Sequence, residues 1–231
     1  MTVESSHDAT PYVPEQADLT GLARAAAGCR GCPLYAEATQ TVFGEGPADA
    51  RMVLVGEAPG DQEDRRGRPF VGPAGRLLDR ALEEAGIARG DVYLTNAVKH
   101  FAFTVPAGGR RRLHKTPSAR QTSACRPWLL AELHVIDPKV VVLLGAVAGK
   151  ALLGSRFRIT PRRGELLPCP PPEMLGTPQA ARFVESADPA DAPARLLATV
   201  HPSAVLRADD REGAYAGLVE DLRAAAGALD R

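Results

Sequence analysis

The sequence is short of several things, and each shortage closes off a class of function. No apolar run in the 231 residues approaches the length of a membrane span, and the first ten residues, MTVESSHDAT, lack the basic-then-apolar layout of a secretory signal. A cytoplasmic protein with no membrane partner is the expectation. There is no excess of charge: Lys+Arg and Asp+Glu both number 28, so a polyanion-binding surface has to be local. Neither GxGxxG after a strand nor GxxxxGK[ST] occurs, which gives a nucleotide-binding oxidoreductase or a P-loop enzyme little support. Internal repeats and low-complexity tracts are absent too. Only four cysteines are present, and in an intracellular chain that number favours metal or redox chemistry over a disulfide framework.

What is present is a chain 45% hydrophobic and long enough to bury a core as one domain over residues 17–231, with residues 1–16 read as a mobile tail. Met52 to Val55 predicts a short buried strand, and Gly56 to Gly60 breaks it with two glycines and a proline around Glu57. The segment 75–85 places Leu77, Leu78, Ala81, Leu82 and Ala85 on one helical face, and Gly86 stops it. Further strands are predicted at 92–94, 140–144 and 196–200. Helices are predicted from Asp18 or Thr20 to Ala27, from Ser118 or Thr122 to about His134, from Gly145 to Leu153, and over 212–229. A β excursion around Ile159 and Leu166 is placed in the proline- and arginine-rich stretch 155–193. The run TVPAGGRRRLHKTPS, 104–118, reads as an exposed loop.

Strands alternating with helices predict a three-layer α/β/α sandwich around a central, mainly parallel sheet. Parallel strands present their carboxyl ends on one side. Glu57, Asn96 and His201, each just beyond a strand, should therefore meet in one crevice.

These residues lie in GEAPG (56–60), GRPFVGPAG (67–75), TNAVK (95–99), CRPWL (125–129) and HPSAVLR (201–207). In that order the motifs resemble the iron-sulfur uracil-DNA glycosylases of family 4, over roughly residues 25–225. GGRRRLHKTPS at 108–118 resembles the extra loop of the UdgX branch, whose members become covalently joined to uracil-containing DNA. That branch carries a KRRIH-like sequence, and here it is RRRLH.

The resemblance implies a division of labour. Phe70 stacks on the pyrimidine, and Asn96 matches the O4 and N3–H edge of uracil, whereas cytosine presents the opposite pattern. His201 donates to O2 as charge builds on the leaving base, aided by main-chain N–H groups such as that of Ala58. His114 attacks C1′, with Glu57 hydrogen-bonded to its other ring nitrogen, and forms a dead-end adduct. Arg110, Arg111, Arg112 and Lys115 hold phosphates without reading sequence, and Ser203 anchors another through its hydroxyl. The same resemblance implies a monomer acting on uracil-containing DNA, single strands included, to repair it. It also implies a 4Fe-4S cluster held by Cys29, Cys32, His100 and Cys125; His100 stands where ordinary members have cysteine. Cys169 is the competing fourth ligand and Cys3His zinc the competing metal. A conventional multiple-turnover glycosylase and a non-cutting uracil-binding module remain as alternatives.

Overall fold

A computed structural model describes residues 7–189 and 192–229. In chain order its elements are α1 (Leu19–Ala26), β1 (Met52–Gly56), α2 (Asp61–Arg66), α3 (Pro73–Glu84), β2 (Val92–Asn96), β3 (Phe103–Thr104), β4 (Leu113–His114), α4 (Ala119–Ile136) and β5 (Val140–Leu144). They continue with α5 (Ala146–Leu153), β6 (Leu166–Pro168), α6 (Pro178–Ser186), β7 (Arg195–Thr199), α7 (Pro202–Val205) and α8 (Arg211–Gly227).

The main sheet has the order β2-β1-β5-β7-β6, parallel except for the edge strand β6. The period-two alternation of its strands sorts the core into two faces. Val53, Val55, Val141, Leu143, Leu196 and Ala198 pack under Leu129 and Leu133 of α4 and the apolar side of α5. Met52, Leu54, Val140, Val142 and Leu197 point the other way, onto Leu78 and Leu82 of α3 and Leu218 and Leu222 of α8. Both faces being covered is why β1 and β5 read as unbroken apolar runs. The expected three-layer sandwich is the fold, and no helix among the described residues is long and apolar enough to cross a membrane.

Local chemistry sets the element ends. Asp18, not Thr20, caps α1 by accepting from Gly21 N at 2.7 Å. Ser118, not Thr122, opens α4 through a capping box with Gln121. Asp137 in the left-handed region ends α4 before Pro138, two residues beyond the predicted end. Proline at the first helical position lets α3 begin at Pro73, ahead of the predicted Gly75.

Three expectations change. Residues 1–6 of the expected tail lie outside the described residues, and the segment around Ala9 is docked. Ala9 is buried, its N–H donates to Ala124 O at 2.9 Å, and a Cβ on Gly31 would stand 2.6 Å from Asp8 O. Small residues with no period hid this docking. The 104–118 loop is not irregular throughout, because β3 and β4 pair Phe103 with His114 and Thr104 with Leu113. In 155–193 a strand forms at Leu166 but not at Ile159, which precedes a 3-10 turn at Thr160–Arg162; α6 fills part of the remainder.

Beneath the sheet's carboxyl edge, Lys99 Nζ meets Glu132 Oε2 at 2.5 Å, with both side chains at most 1% exposed. Glu132 also accepts from Tyr93 OH, Thr95 Oγ1 and Gly44 N, while Lys99 Nζ donates to Thr95 Oγ1 and Asn96 O. Burial and the Glu132 charge push the Tyr93 phenol far up, so it stays a donor. Removing one partner of such a pair strands the other charge. Lys99→Met is expected to lower unfolding free energy by about 3–5 kcal/mol in urea titration; a loss below about 1 kcal/mol would show that the pair is dispensable.

Candidate active site

The crevice at the carboxyl ends of β1, β2 and β7 is assembled from backbone constraints first. β1 and β2 end in register, Gly56 opposite Asn96. Ala97 N donates to Gly56 O and Val98 N to Glu57 O, so the loop carrying Glu57 and Ala58 is tied to the one carrying Asn96. A Cβ on Gly56 would lie 2.4 Å from Asn96 Oδ1 and 2.7 Å from the Phe70 ring. Glycine there is what lets the amide and the aromatic ring share one space. Phe70 itself sits at φ 54°, an uncommon backbone conformation for a bulky residue. It is accommodated because Gly75 has no side chain; a Cβ there would fall 1.8 Å from the Phe70 carbonyl oxygen.

His201 caps α7. Its Nδ1 accepts from Ser203 N at 3.1 Å and lies 2.8 Å from Ser203 Oγ, so the ring proton belongs on Nε2. Its ring lies 6.3 Å from that of Phe70 at 29°. Burial, and then the nearby charges of His114 and Arg207, hold its pKa down at about 4. At neutral pH His201 is therefore a neutral donor through Nε2. The Ser203 hydroxyl, expected to anchor a phosphate, lies against His201 and helps to orient the ring.

His114, at the end of β4, reaches the same crevice. Its Nε2 stands 3.8 Å from Glu57 Oε1, beyond hydrogen-bond range, so the expected Glu57–His114 hydrogen bond is not formed. Glu57 Oε1 is buried and has no hydrogen-bond partner among the described residues.

Arg112 departs from its expected role. Its guanidinium is bound to Asp61 and Asp64 at 2.6 Å and lies over Phe101 and Phe103, and the side chain is 14% exposed. Two carboxylates on α2 outcompete solvent for it. Instead of holding phosphate, Arg112 latches the hairpin that carries His114 onto the helix that follows Glu57. Arg110, Arg111 and Lys115 are exposed and make no ion pair among the described residues. Arg65, Arg66 and Arg68 are engaged as well: Arg65 pairs with Asp61, Arg68 with Glu45, and Arg66 donates to the Val71 carbonyl.

The thiols of Cys29, Cys32 and Cys125 share one buried cluster with Trp128 and Phe43. Three N–H groups point at them: Trp128 Nε1 and Gly31 N to Cys29 Sγ, and Lys99 N to Cys125 Sγ at 3.2 Å. Burial pushes Cys125 up to about 12, and Lys99 opposes that shift. His100 borders Cys29 across a cavity of about 230 Å3, with its Nε2 3.0 Å from Thr41 Oγ1. Cys169 packs against a different core cluster, the one under α4, α5 and α6. Among the described residues no three His, Cys, Asp or Glu side chains close around a common point as ligands of a single metal ion.

The sequence profile of the Uracil DNA glycosylase superfamily matches residues 43–223. The chain belongs to that superfamily. It is 39% identical over 180 residues to a type-4 uracil-DNA glycosylase of Thermotoga maritima, covering 78% of each chain. It is 35% identical over 198 residues to the type-4 uracil-DNA glycosylase of Pyrobaculum aerophilum, covering 86% of this chain and 89% of the relative. A type-5 uracil-DNA glycosylase of the same organism is 32% identical over 123 residues, 47% and 50% of the two chains.

Within this superfamily fold, several residues that hold the site together carry no assigned role in the sequence reading. Glu63 accepts from Gly72 N at 2.7 Å and Gly60 N at 3.2 Å, joining the Glu57 loop to the Phe70 loop. Asp64 receives Thr39 N as well as Arg112. Glycine at the N-cap Gly60 leaves no capping-box signature in the sequence to single out Glu63, and the Asp64 contacts span up to 48 residues.

The depressed pKa of His201 has a thermodynamic consequence. Between its ordinary value of 6.5 and about 4 the unfolded chain binds a proton that the native ring does not, so stability rises with pH across that window. The His201 contribution is fully present above pH 6.5 and is lost as pH falls to 4. Thermal melts across this range should show a steeper loss for the parent protein than for His201→Gln; equal slopes would refute the neutral ring.

Proposed function

We propose that this uracil-DNA glycosylase superfamily member excises uracil from DNA and is left joined through His114 to C1′ of the abasic sugar. The observation that carries the reading is the placement of His114 within 3.8 Å of Glu57, in the crevice that already holds Asn96, Phe70 and His201. The loop histidine that resembles the UdgX nucleophile thus stands beside the carboxylate, held there by the Arg112 latch.

The chemistry follows from the parts. An extruded uracil stacks on Phe70 and is read along its Watson-Crick edge by Asn96. As the glycosidic bond breaks, its electron pair goes to the base, and Nε2–H of His201 donates to O2 where the charge collects. A neutral ring is suited to this, since it gives a hydrogen bond without a full proton transfer. The lone pair of one His114 ring nitrogen then forms the bond to C1′, and the imidazolium loses the proton on its other nitrogen toward Glu57. An N-linked imidazole is a poor leaving group, so one protein consumes one uracil site. Arg110, Arg111 and Lys115 hold flanking phosphates, and the substrate includes single strands, bound by a monomer.

A conventional multiple-turnover glycosylase is favoured by one specific feature. Glu57 Oε1 is buried and has no hydrogen-bond partner among the described residues, His114 included, a position from which it could orient a water at C1′. Denaturing gels with a uracil oligonucleotide separate the two. The covalent reading expects a heat-stable band and one uracil released per protein, with His114→Ser losing the band while still releasing uracil; release in excess of protein without a band returns the chain to conventional turnover.

The thiol group fits an iron-sulfur cluster in its chemistry. Cys29, Cys32 and Cys125 are buried together with N–H groups aimed at their sulfurs, and His100 lies on the open side of Cys29. A cluster distributes its ligands over four corners, so they need not converge on one point as a single zinc requires. Its role in this reading is structural, supporting the 100–125 segment beside the DNA site. Iron and acid-labile sulfide should co-purify with the Cys169→Ala variant as with the parent, and should fall sharply in His100→Ala; the reverse pattern would make Cys169 the fourth ligand.

A further inference from the structure

A cavity of about 740 Å3 lies away from the Glu57 crevice, between the first half of α4, the length of α5 and α6. Its walls carry Arg126, Lys150, Arg156 and Arg182 against a single carboxylate, Glu185. Among the described residues none of these four cations makes an ion pair, although Arg65, Arg68, Arg112 and Arg163 elsewhere all do. Lys150, Arg156 and Arg182 are exposed, and Gly176 leaves room for the Arg126 side chain: a Cβ there would stand 2.4 Å from its Cδ. A protein with balanced total charge has concentrated unpaired positive charge in one concavity, drawn from three separate helices and a loop.

The groove also has a defined relation to the reactive crevice. Its rim includes Thr116 and Pro117, which directly follow His114 and Lys115. Its floor is α5, which is capped by Gly145, and Gly145 abuts His201: a Cβ on that glycine would lie 3.0 Å from His201 Cβ. A strand whose extruded nucleotide sat among Phe70, Asn96 and His201 could leave the crevice past Lys115 directly into this groove.

We propose that the groove is a second nucleic-acid contact, a track for the backbone phosphates of the strand flanking the extruded nucleotide. The proposal rests on DNA being the substrate and is indifferent to whether His114 or water attacks. The chemistry selects phosphates over bases. The lining offers cations and small side chains but no exposed aromatic platform on which a base could stack, so the contact is independent of sequence and sensitive to salt.

The test pairs the parent protein with Lys150→Glu/Arg182→Glu, both changes being at exposed positions that touch nothing in the crevice. Equilibrium binding is measured by anisotropy to a long uracil-free oligothymidylate across a salt series. Uracil release is measured on a short uracil oligonucleotide that ends at its own flanking phosphates. The groove reading expects the variant to bind the long strand at least about tenfold more weakly at low salt. It also expects the slope of log affinity against log salt to flatten by about 1.4, from two contacts at about 0.7 each. Melting temperature and release from the short substrate should be unchanged. An unaltered salt slope overturns the groove. Absence of uracil release from the parent on any substrate would instead sink the glycosylase reading, leaving the slope to decide the groove separately.

Discussion

The buried contact between Lys99 and Glu132 is the constraint on which the rest of the site depends. A carboxylate withdrawn from water must find several donors at once, and Glu132 finds Tyr93 and Thr95 on β2, Gly44 on the approach to β1, and the Lys99 ammonium. The ammonium in turn holds the main-chain oxygen of Asn96, and the Lys99 amide points at Cys125. One charge pair thus links Asn96 to the thiol group behind it. The link also explains how the Asn96 loop can be both irregular and buried: its polar backbone is satisfied from inside the protein, not by solvent.

A second layer of constraint brings separate loops into one crevice. Glu63 clamps the Glu57 and Phe70 loops by their N–H groups, and Gly56 and Gly75 remove the atoms that would keep Phe70 out. Arg112 does the same for the hairpin, exchanging solvent for Asp61, Asp64 and two aromatic faces. The outcome is that His114 faces Glu57 across a gap of 3.8 Å while Arg110, Arg111 and Lys115 stay turned to solvent. Four basic side chains adjacent in sequence have therefore separated into one structural cation and three available ones, a division governed only by which of them the acidic face of α2 can reach.

The distribution of the remaining charge follows the same logic. With 28 basic and 28 acidic residues the chain has no net attraction for DNA. Paired cations contribute little field beyond their immediate surroundings, so the field that a polyanion meets comes from the unpaired ones, which include those of the hairpin and of the groove lined by Lys150 and Arg182.

The strands, the sandwich and the convergence of Glu57, Asn96 and His201 were legible in the sequence because they rest on local periodicity and on the geometry of parallel sheets, which put successive strand ends on one side. The motifs also pointed to the superfamily, since each is a short stretch whose glycines and polar residues act together. The docking of residues 7–13, the ion pairs of Arg112, the engagement of Ser203 with His201 and the Glu132 network were decided only by tertiary structure. Each depends on contacts between segments, or on the direction in which a side chain turns once its backbone is set. A one-dimensional sequence records which residues carry charge; it does not record which opposite charge a side chain will meet, because that choice is made by desolvation and packing after the chain has folded.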